Sequence, residues 1–215
     1  MRFIPIYSKF IAGTNLKSAI KVGNNLKSNN VGTIYDFSVE SSINLNKNID
    51  EIFKQINEID SSCIALKFSS LGVNDNNCRK LIDQFYSENK KKKYPNKFLI
   101  DAEYYEIQNQ IYDLSNYAID NYNCYDNKFF YKTMQMYRND IMNIFNNDIE
   151  NYMINNKYAV KLVRGAYINS DKKYNIIQNS KLETDMQYNE ASIRFLSNLK
   201  KYPNNEIIFA THNQD

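Results

Sequence analysis

Tyr158-Ala159-Val160-Lys161-Leu162-Val163-Arg164-Gly165-Ala166-Tyr167 is the stretch whose reading decides the fold. It is an apolar run carrying two cations, and it breaks at Gly165 and Ala166, the two smallest residue types. Side chains alternate faces along a strand, so Ala159, Lys161 and Val163 share one face and Val160 and Leu162 the other. A lysine within a buried strand is costly unless a partner meets it. A Gly-Ala pair at a strand end lets a bulky ligand lie against bare backbone. Together these features point to a strand end that holds a flat, partly anionic ligand. A strand with a snorkelling lysine and a turn glycine is the plainer reading of the same residues.

Outward from this stretch, five more segments read as strands: Gly32–Phe37, Cys63–Phe68, Phe98–Glu103, Lys128–Thr133 and Ile207–Thr211. Amphipathic helical stripes fill the gaps, among them Leu16 to Leu26, Ile49 to Ile59, Cys78 to Phe85, Ile107 to Ala118, Ile141 to Met153 and Thr184 to Leu199. Thr14 or Asn15 is placed to cap the first helix. Alternation of strand and helix at this period predicts βαβ units and a parallel sheet. Two architectures satisfy that pattern, an open doubly wound sheet and a (β/α)₈ barrel. The polar residues decide between them. Lys67, Asp101, Gln135, Lys161 and Thr211 fall toward the C-terminal ends of different strands. A barrel converges all strand ends on one mouth. An open sheet spreads them, and no Gly-x-Gly-x-x-Gly turn follows the first strand. The expected fold is therefore α/β, a (β/α)₈ TIM-barrel type, incomplete, with about six βα units present in a single domain over residues 1–215.

Composition bounds the function. Hydrophobic residues make up 43% of the 215, enough for a core, and no apolar run is long enough to cross a bilayer. A net charge of +3 does not imply a nucleic-acid partner, and Lys90 to Lys93 read as a solvated loop. Cys63, Cys78 and Cys124 are odd in number and widely spaced, which supports neither a disulfide framework nor a zinc knuckle. His212 is the only histidine, which excludes a multi-histidine metal site and disfavours a Ser-His-Asp hydrolase. Met1 to Pro5 lack the apolar core of a signal peptide and the Arg/Ser character of a transit peptide, so a cytoplasmic location is the default expectation. The abundance of Asn, Lys, Ile and Tyr reads as coding bias rather than chemistry.

At a barrel mouth, Lys67, Asp101 and Lys161 are expected to form a cation–anion–cation cluster. Such a cluster suits a ligand with a carboxylate and an anionic ring system, because the cations hold Asp101 ionised and stabilise negative charge on the ligand. Backbone N–H groups near Gly165 and Ala166 are placed to approach a phosphate. A purely structural ion-pair network inside a barrel is the alternative.

Lys161-Leu162-Val163-Arg164-Gly165-Ala166-Tyr167 resembles the K/R-L-V-K/R-G-A-Y signature of the proline dehydrogenase family. The resemblance continues in order along the chain. Phe10-Ile11-Ala12-Gly13 resembles its FVAGE segment, Asp36-Phe37-Ser38-Val39-Glu40 its DYSVE and Ala65 to Gly72 its IKLTALG. Ile100-Asp101-Ala102-Glu103 resembles VDAE, Thr133 to Tyr137 TYQCY and Phe209-Ala210-Thr211-His212-Asn213 FATHN. The wording is nearer the animal-type enzymes, whose eukaryotic members are mitochondrial.

The resemblance implies an FAD-dependent distorted barrel that oxidises L-proline to Δ1-pyrroline-5-carboxylate, with no resident metal and an electron acceptor that the sequence does not name. By matching position it implies that Lys67 contacts the proline carboxylate, Asp101 orders the substrate site and Lys161 lies beside the flavin. Ala102, Gln135, Arg164, Gly165, Ala166, Thr211 and His212 are implied to line FAD. The family continues through a seventh strand and an eighth unit whose Arg-Arg-x-x-Glu helix clamps proline, and those units are not among these residues. A fragment, one part of a split protein with a complementary C-terminal polypeptide, and an inactive barrel that at most binds flavin are the three readings this leaves.

Overall fold

The computed structural model describes residues 12–37, 44–73 and 75–213. Of the segments singled out above, Phe10, Ile11, Ser38, Val39 and Glu40 lie outside the described residues. Helix α1, Leu16–Ser28, starts where Asn15 Oδ1 accepts the Ser18 N–H at 3.0 Å, satisfying one of the unpaired donors of the first turn. Strand β1, Ile34–Tyr35, follows, and then α2, Leu45–Glu58, capped by Asn44. Strand β2, Cys63–Leu66, runs into a 3₁₀ turn, Phe68–Leu71, and α3, Asp75–Asn89. The alternation continues with β3, Lys97–Ile100, α4, Tyr105–Tyr122, β4, Phe130–Gln135, and α5, Ile141–Asp148, which runs on as a π turn, Ile149–Met153. Strand β5, Ala159–Val163, short helix α6, Ile168–Asp171, helix α7, Lys181–Leu199, and strand β6, Glu206–Ala210, complete the order.

All six strands are parallel, and the sheet order is β1-β2-β3-β4-β5-β6. Each crossover therefore places the next strand beside the last, the connectivity of a winding barrel. Strand β5 pairs Lys161 with Thr133 on β4 and with Ile208 on β6. The alternation of faces holds along β5. Val160 and Leu162 pack outward against Tyr188, Ala191 and Phe195 of α7. Ala159 faces the other way and packs with Leu99 and Tyr131, with Cys63 and Ile208 at the margin.

That second face is concave. Lys97 on β3 meets Glu206 on β6, three strands away, and Tyr131 hydrogen-bonds the same carboxylate. Such a contact requires the sheet to curl, so the six strands form a half-barrel with its interior between β2 and β6. The outer layer holds two large apolar clusters, one around Phe68, Phe85, Phe98 and Phe130 and one around Phe145, Tyr158 and Phe195. With all strands parallel, the curled sheet turns their C-terminal ends toward one mouth.

Candidate functional site

The mouth has a polar floor made by residues at the ends of β1 to β5. Lys67, just past β2, donates to Asp36 Oδ2 at 2.6 Å, from the end of β1. Lys161, from the interior face of β5, pairs with Asp101, just past β3. Sequence reasoning expected one cluster of Lys67, Asp101 and Lys161; the structure resolves it into two ion pairs, each cation with its own carboxylate. The Lys161–Asp101 pair is the more buried, at 13% and 16% side-chain exposure against 25% and 39% for Lys67 and Asp36.

Glu103 ties these strand ends together. It is buried, and its Oε1 accepts the Ser69 N–H at 3.0 Å, within the 3₁₀ turn that follows Lys67. Its own N–H donates to Gln108 Oε1 at 2.6 Å, and its carbonyl accepts from Gln135 Nε2 at 2.9 Å. One residue thus fixes the loop after β2, the start of α4 and the end of β4. Burial pushes the Glu103 carboxyl above its ordinary range, against the pull of the Ser69 hydrogen bond; the Asp101 charge adds to the rise and Lys67 opposes it. Thr133 Oγ1 and Gln135 Oε1 are buried polar atoms with no partner among the described residues.

Beside the floor is a cavity of about 710 Å³ between the end of β5, the end of β6 and the N-terminal turns of α7. Its wall includes Arg164, Gly165, Ala166, Thr184, Thr211 and His212. Gly165 and Ala166 add little bulk to this wall. A Cβ built on Gly165 would meet Ile168 Cδ1 at 2.5 Å, so the space beside this backbone is taken by the end of the Ile168 side chain. The loop after Gly165 is anchored from below. Asp171, buried in α6, accepts from Tyr137 Oη at 2.8 Å and from the Tyr105 N–H at 3.2 Å. Tyr167 packs edge-on against Tyr104, with ring centres 5.0 Å apart.

Arg164 is a cation on the cavity wall. It pairs with Asp185 on α7, its guanidinium lies 4.2 Å from the centre of the Tyr188 ring, and its Nε–H is buried with no partner among the described residues. Lys181 reaches the other oxygen of Asp185 at 2.5 Å.

The expected cofactor residues therefore divide. Arg164, Gly165, Ala166, Thr211 and His212 line the cavity, whereas Ala102 and Gln135 are buried at the floor. Sequence reasoning missed Asp36, Glu103, Asp171 and Asp185. Asp36 and Glu103 stood inside segments already singled out, and Asp185 stands one helical turn from Lys181, a spacing that pairs opposite charges. Nothing local to the sequence marks Asp171. Among the described residues no group of three or more His, Cys, Asp and Glu is placed to hold a metal, and no helix is long and apolar enough to cross a membrane.

Comparison with known proteins agrees with this architecture. The structure of proline utilization A (PutA) from Bdellovibrio bacteriovorus, inactivated by N-propargylglycine, superposes with a TM-score of 0.78 at 18% identity, covering 94% of this chain and 25% of that one. A bifunctional PutA matches with a TM-score of 0.70 at 17% identity, over 94% of this chain and 23% of its own. A variant of the Bradyrhizobium japonicum PutA matches at 0.67 and 17% identity over the same shares. At these identities the likeness is one of fold. The chain spans about a quarter of the length of those structures. No curated protein sequence matches it. The family model described as proline dehydrogenase matches residues 19–215. This match covers nearly the whole chain, and the chain belongs to the proline dehydrogenase family.

Proposed function

We propose that the chain forms the FAD-holding and carboxylate-binding part of a site that oxidises L-proline to Δ1-pyrroline-5-carboxylate. The observation that carries this reading is the meeting of Lys161 on β5 with Asp101 past β3, next to a cavity walled by Gly165 and Ala166. Family membership supports proline as the substrate, as do the fold neighbours, whose names state proline utilization.

The residues present suit FAD. Gly165 and Ala166 keep the wall of the cavity low, Arg164 lines it with an Nε–H that has no partner among the described residues, and Gln135 Oε1 and Thr133 Oγ1 are buried and unpartnered at the floor. In this reading Arg164, Gly165, Ala166, Thr211 and His212 hold FAD along the cavity, with Ala102 and Gln135 beneath it. FAD when bound supplies the two-electron acceptor, and the chain supplies binding, orientation and charge.

Lys67 turns from Asp36 to the carboxylate of proline, a charge-assisted contact in a half-buried setting. Asp101, paired with Lys161, orders the substrate site. Lys161 keeps its ammonium at the reacting edge, where it stabilises negative charge that develops. Glu103 holds the turn after Lys67 and the Gln135 amide in register.

Among the described residues strands β1 and β6 each have one hydrogen-bonded neighbour, and Phe209 on β6 is 42% exposed. A strand edge of this kind invites a further strand. We assign that place to a complementary polypeptide of two more βα units, on the same or a separate chain, which supplies the rest of the substrate clamp.

Titrating the purified chain with FAD tests the cofactor reading. Saturable binding at micromolar FAD, with perturbed flavin absorbance, is the expected result. A folded chain that leaves free FAD unchanged would overturn it.

A further inference from the structure

Arg164 lines the cavity, and its charge is already matched. Asp185 Oδ1 accepts from Arg164 Nη1 and, at 3.1 Å, from Asn213 Nδ2; Asp185 Oδ2 accepts from Lys181 Nζ at 2.5 Å. The second guanidinium arm makes only a long contact of 3.4 Å with Asn189 Oδ1. The remaining donor, Nε–H, is buried and unpartnered among the described residues. All four of Arg164, Lys181, Asp185 and Asn213 line the same cavity. We infer that Asp185 is a built-in competing anion: it holds Arg164 in place at the cavity wall and sets how tightly the phosphate groups of a ligand are bound there.

The charge balance gives the direction. Arg164 and Lys181 bring two positive charges and Asp185 one negative, so an incoming diphosphate meets a net charge of only +1. Lys181 first, and Arg164 after it, hold the Asp185 carboxyl below its usual range, so the counter-charge persists at neutral pH. Replacing Asp185 by Asn keeps the shape and an accepting oxygen for Arg164 and Asn213 and removes the competing charge. One unit charge within several ångströms of a partly exposed anion is worth on the order of a factor of ten in affinity at low salt. The Tyr188 ring keeps the guanidinium placed in the variant, because stacking on a ring does not depend on Asp185.

The inference adds an affinity control to the proposed FAD site, and its first test does not depend on that reading. Inorganic pyrophosphate is titrated calorimetrically into the parent chain, Asp185→Asn and Lys181→Ala at low and at high salt. The expected result is about tenfold tighter binding to D185N and severalfold weaker binding to K181A, with both differences shrinking as salt rises. Lys181 is 77% exposed, so K181A reports even if D185N fails to fold. Pyrophosphate binding unchanged or weakened in D185N, unchanged or tightened in K181A, or absent from every protein would overturn the inference. FAD and riboflavin are then compared on the same proteins. A gain in D185N for FAD but not for riboflavin supports the inference, and equal gains for both overturn it. A gain for pyrophosphate with no FAD binding by any of the three would leave Asp185's role standing and remove the flavin reading instead.

Discussion

Lys67 Nζ stands 2.6 Å from Asp36 Oδ2, so the residue assigned to the substrate carboxylate already holds a carboxylate of its own chain. Both side chains are partly exposed, and pairs of that kind contribute about 0–1 kcal/mol. The exchange of Asp36 for a ligand is therefore cheap. Asp36→Asn is expected to change stability by less than about 1 kcal/mol in urea unfolding. A loss of more than twice that would mean the pair is structural and unavailable for ligand exchange.

The outer layer carries an ion pair of the opposite kind. Lys132, on the helix-facing side of β4, is fully buried with Asp148, to which it donates at 2.9 Å, and Tyr158 Oη reaches the same carboxylate at 3.1 Å. Lys132→Met leaves Asp148 buried and unpaired, at an expected cost of about 3–5 kcal/mol. Adding Asp148→Leu removes the stranded charge, so the double variant should recover most of that loss. Additive losses in thermal unfolding would show that the cost comes from packing.

Glu103 makes stability depend on pH in a particular direction. Its carboxyl is raised in the fold, chiefly by burial, from an ordinary value of 4.5. The unfolded chain then releases this proton first as pH rises. The folded state is penalised progressively from about that value upward, until the folded group has also ionised. Glu103→Gln keeps an acceptor for the Ser69 N–H and removes the titration. The stability of the variant relative to the parent should rise between pH 4.5 and neutrality, measured by denaturant midpoints at matched salt. A difference that does not vary with pH would contradict this assignment.

At the cavity wall, Gly165→Ala and Gly165→Trp separate packing from ligand space. The alanine Cβ meets only the end of Ile168, a side chain that can turn, so that variant should fold and bind FAD with modest loss. The tryptophan ring displaces Ile168, which also lines the cavity, and projects into that space, so it should abolish FAD binding in a folded protein. Unchanged flavin absorbance in the tryptophan variant would place the cofactor elsewhere.

How much of this was legible in the sequence differs by element. The strand–helix alternation and the face assignment on β5 were readable, because period-2 and helical patterns survive burial. Boundaries moved where local chemistry overruled pattern. Strand β4 begins at Phe130 rather than Lys128, where the Phe129 and Phe130 N–H groups both donate to Asn123 Oδ1 instead of a neighbouring strand. Helix α7 begins at Lys181 rather than Thr184, where Ser180 Oγ accepts the Glu183 N–H at 3.1 Å, a Ser-x-x-Glu start that an apolar-stripe reading passes over.

The asparagines show the limit of composition. Their abundance reads as coding bias, yet Asn96, Asn123 and Asn205 are buried below β3, β4 and β6. Asn123 Oδ1 accepts two N–H groups of the β4 entry, and Asn205 Oδ1 accepts the Tyr158 N–H at 2.8 Å. Each satisfies backbone groups of neighbouring strands, a role set by tertiary position. At the site, residue types were legible but partners were not. Lys67 and Asp101 are 34 residues apart in sequence, and only the curl of the sheet decides that Asp36 takes one lysine and Asp101 the other.

The most direct test of the account is dye-coupled proline oxidation by these 215 residues, first alone with FAD and then with two further βα units supplied in trans from a PutA relative. In the proposed reading, further βα units against the β6 edge supply the remaining contacts to the substrate, and each charge-assisted bond absent costs about 1.5–3 kcal/mol. The account predicts no turnover above background for the chain alone and measurable turnover once the barrel is completed, lost again in Lys161→Met. Turnover by the chain alone within about tenfold of a full-length relative, a gap of ~1.4 kcal/mol, would contradict it. So would a completed, FAD-loaded barrel that leaves proline untouched.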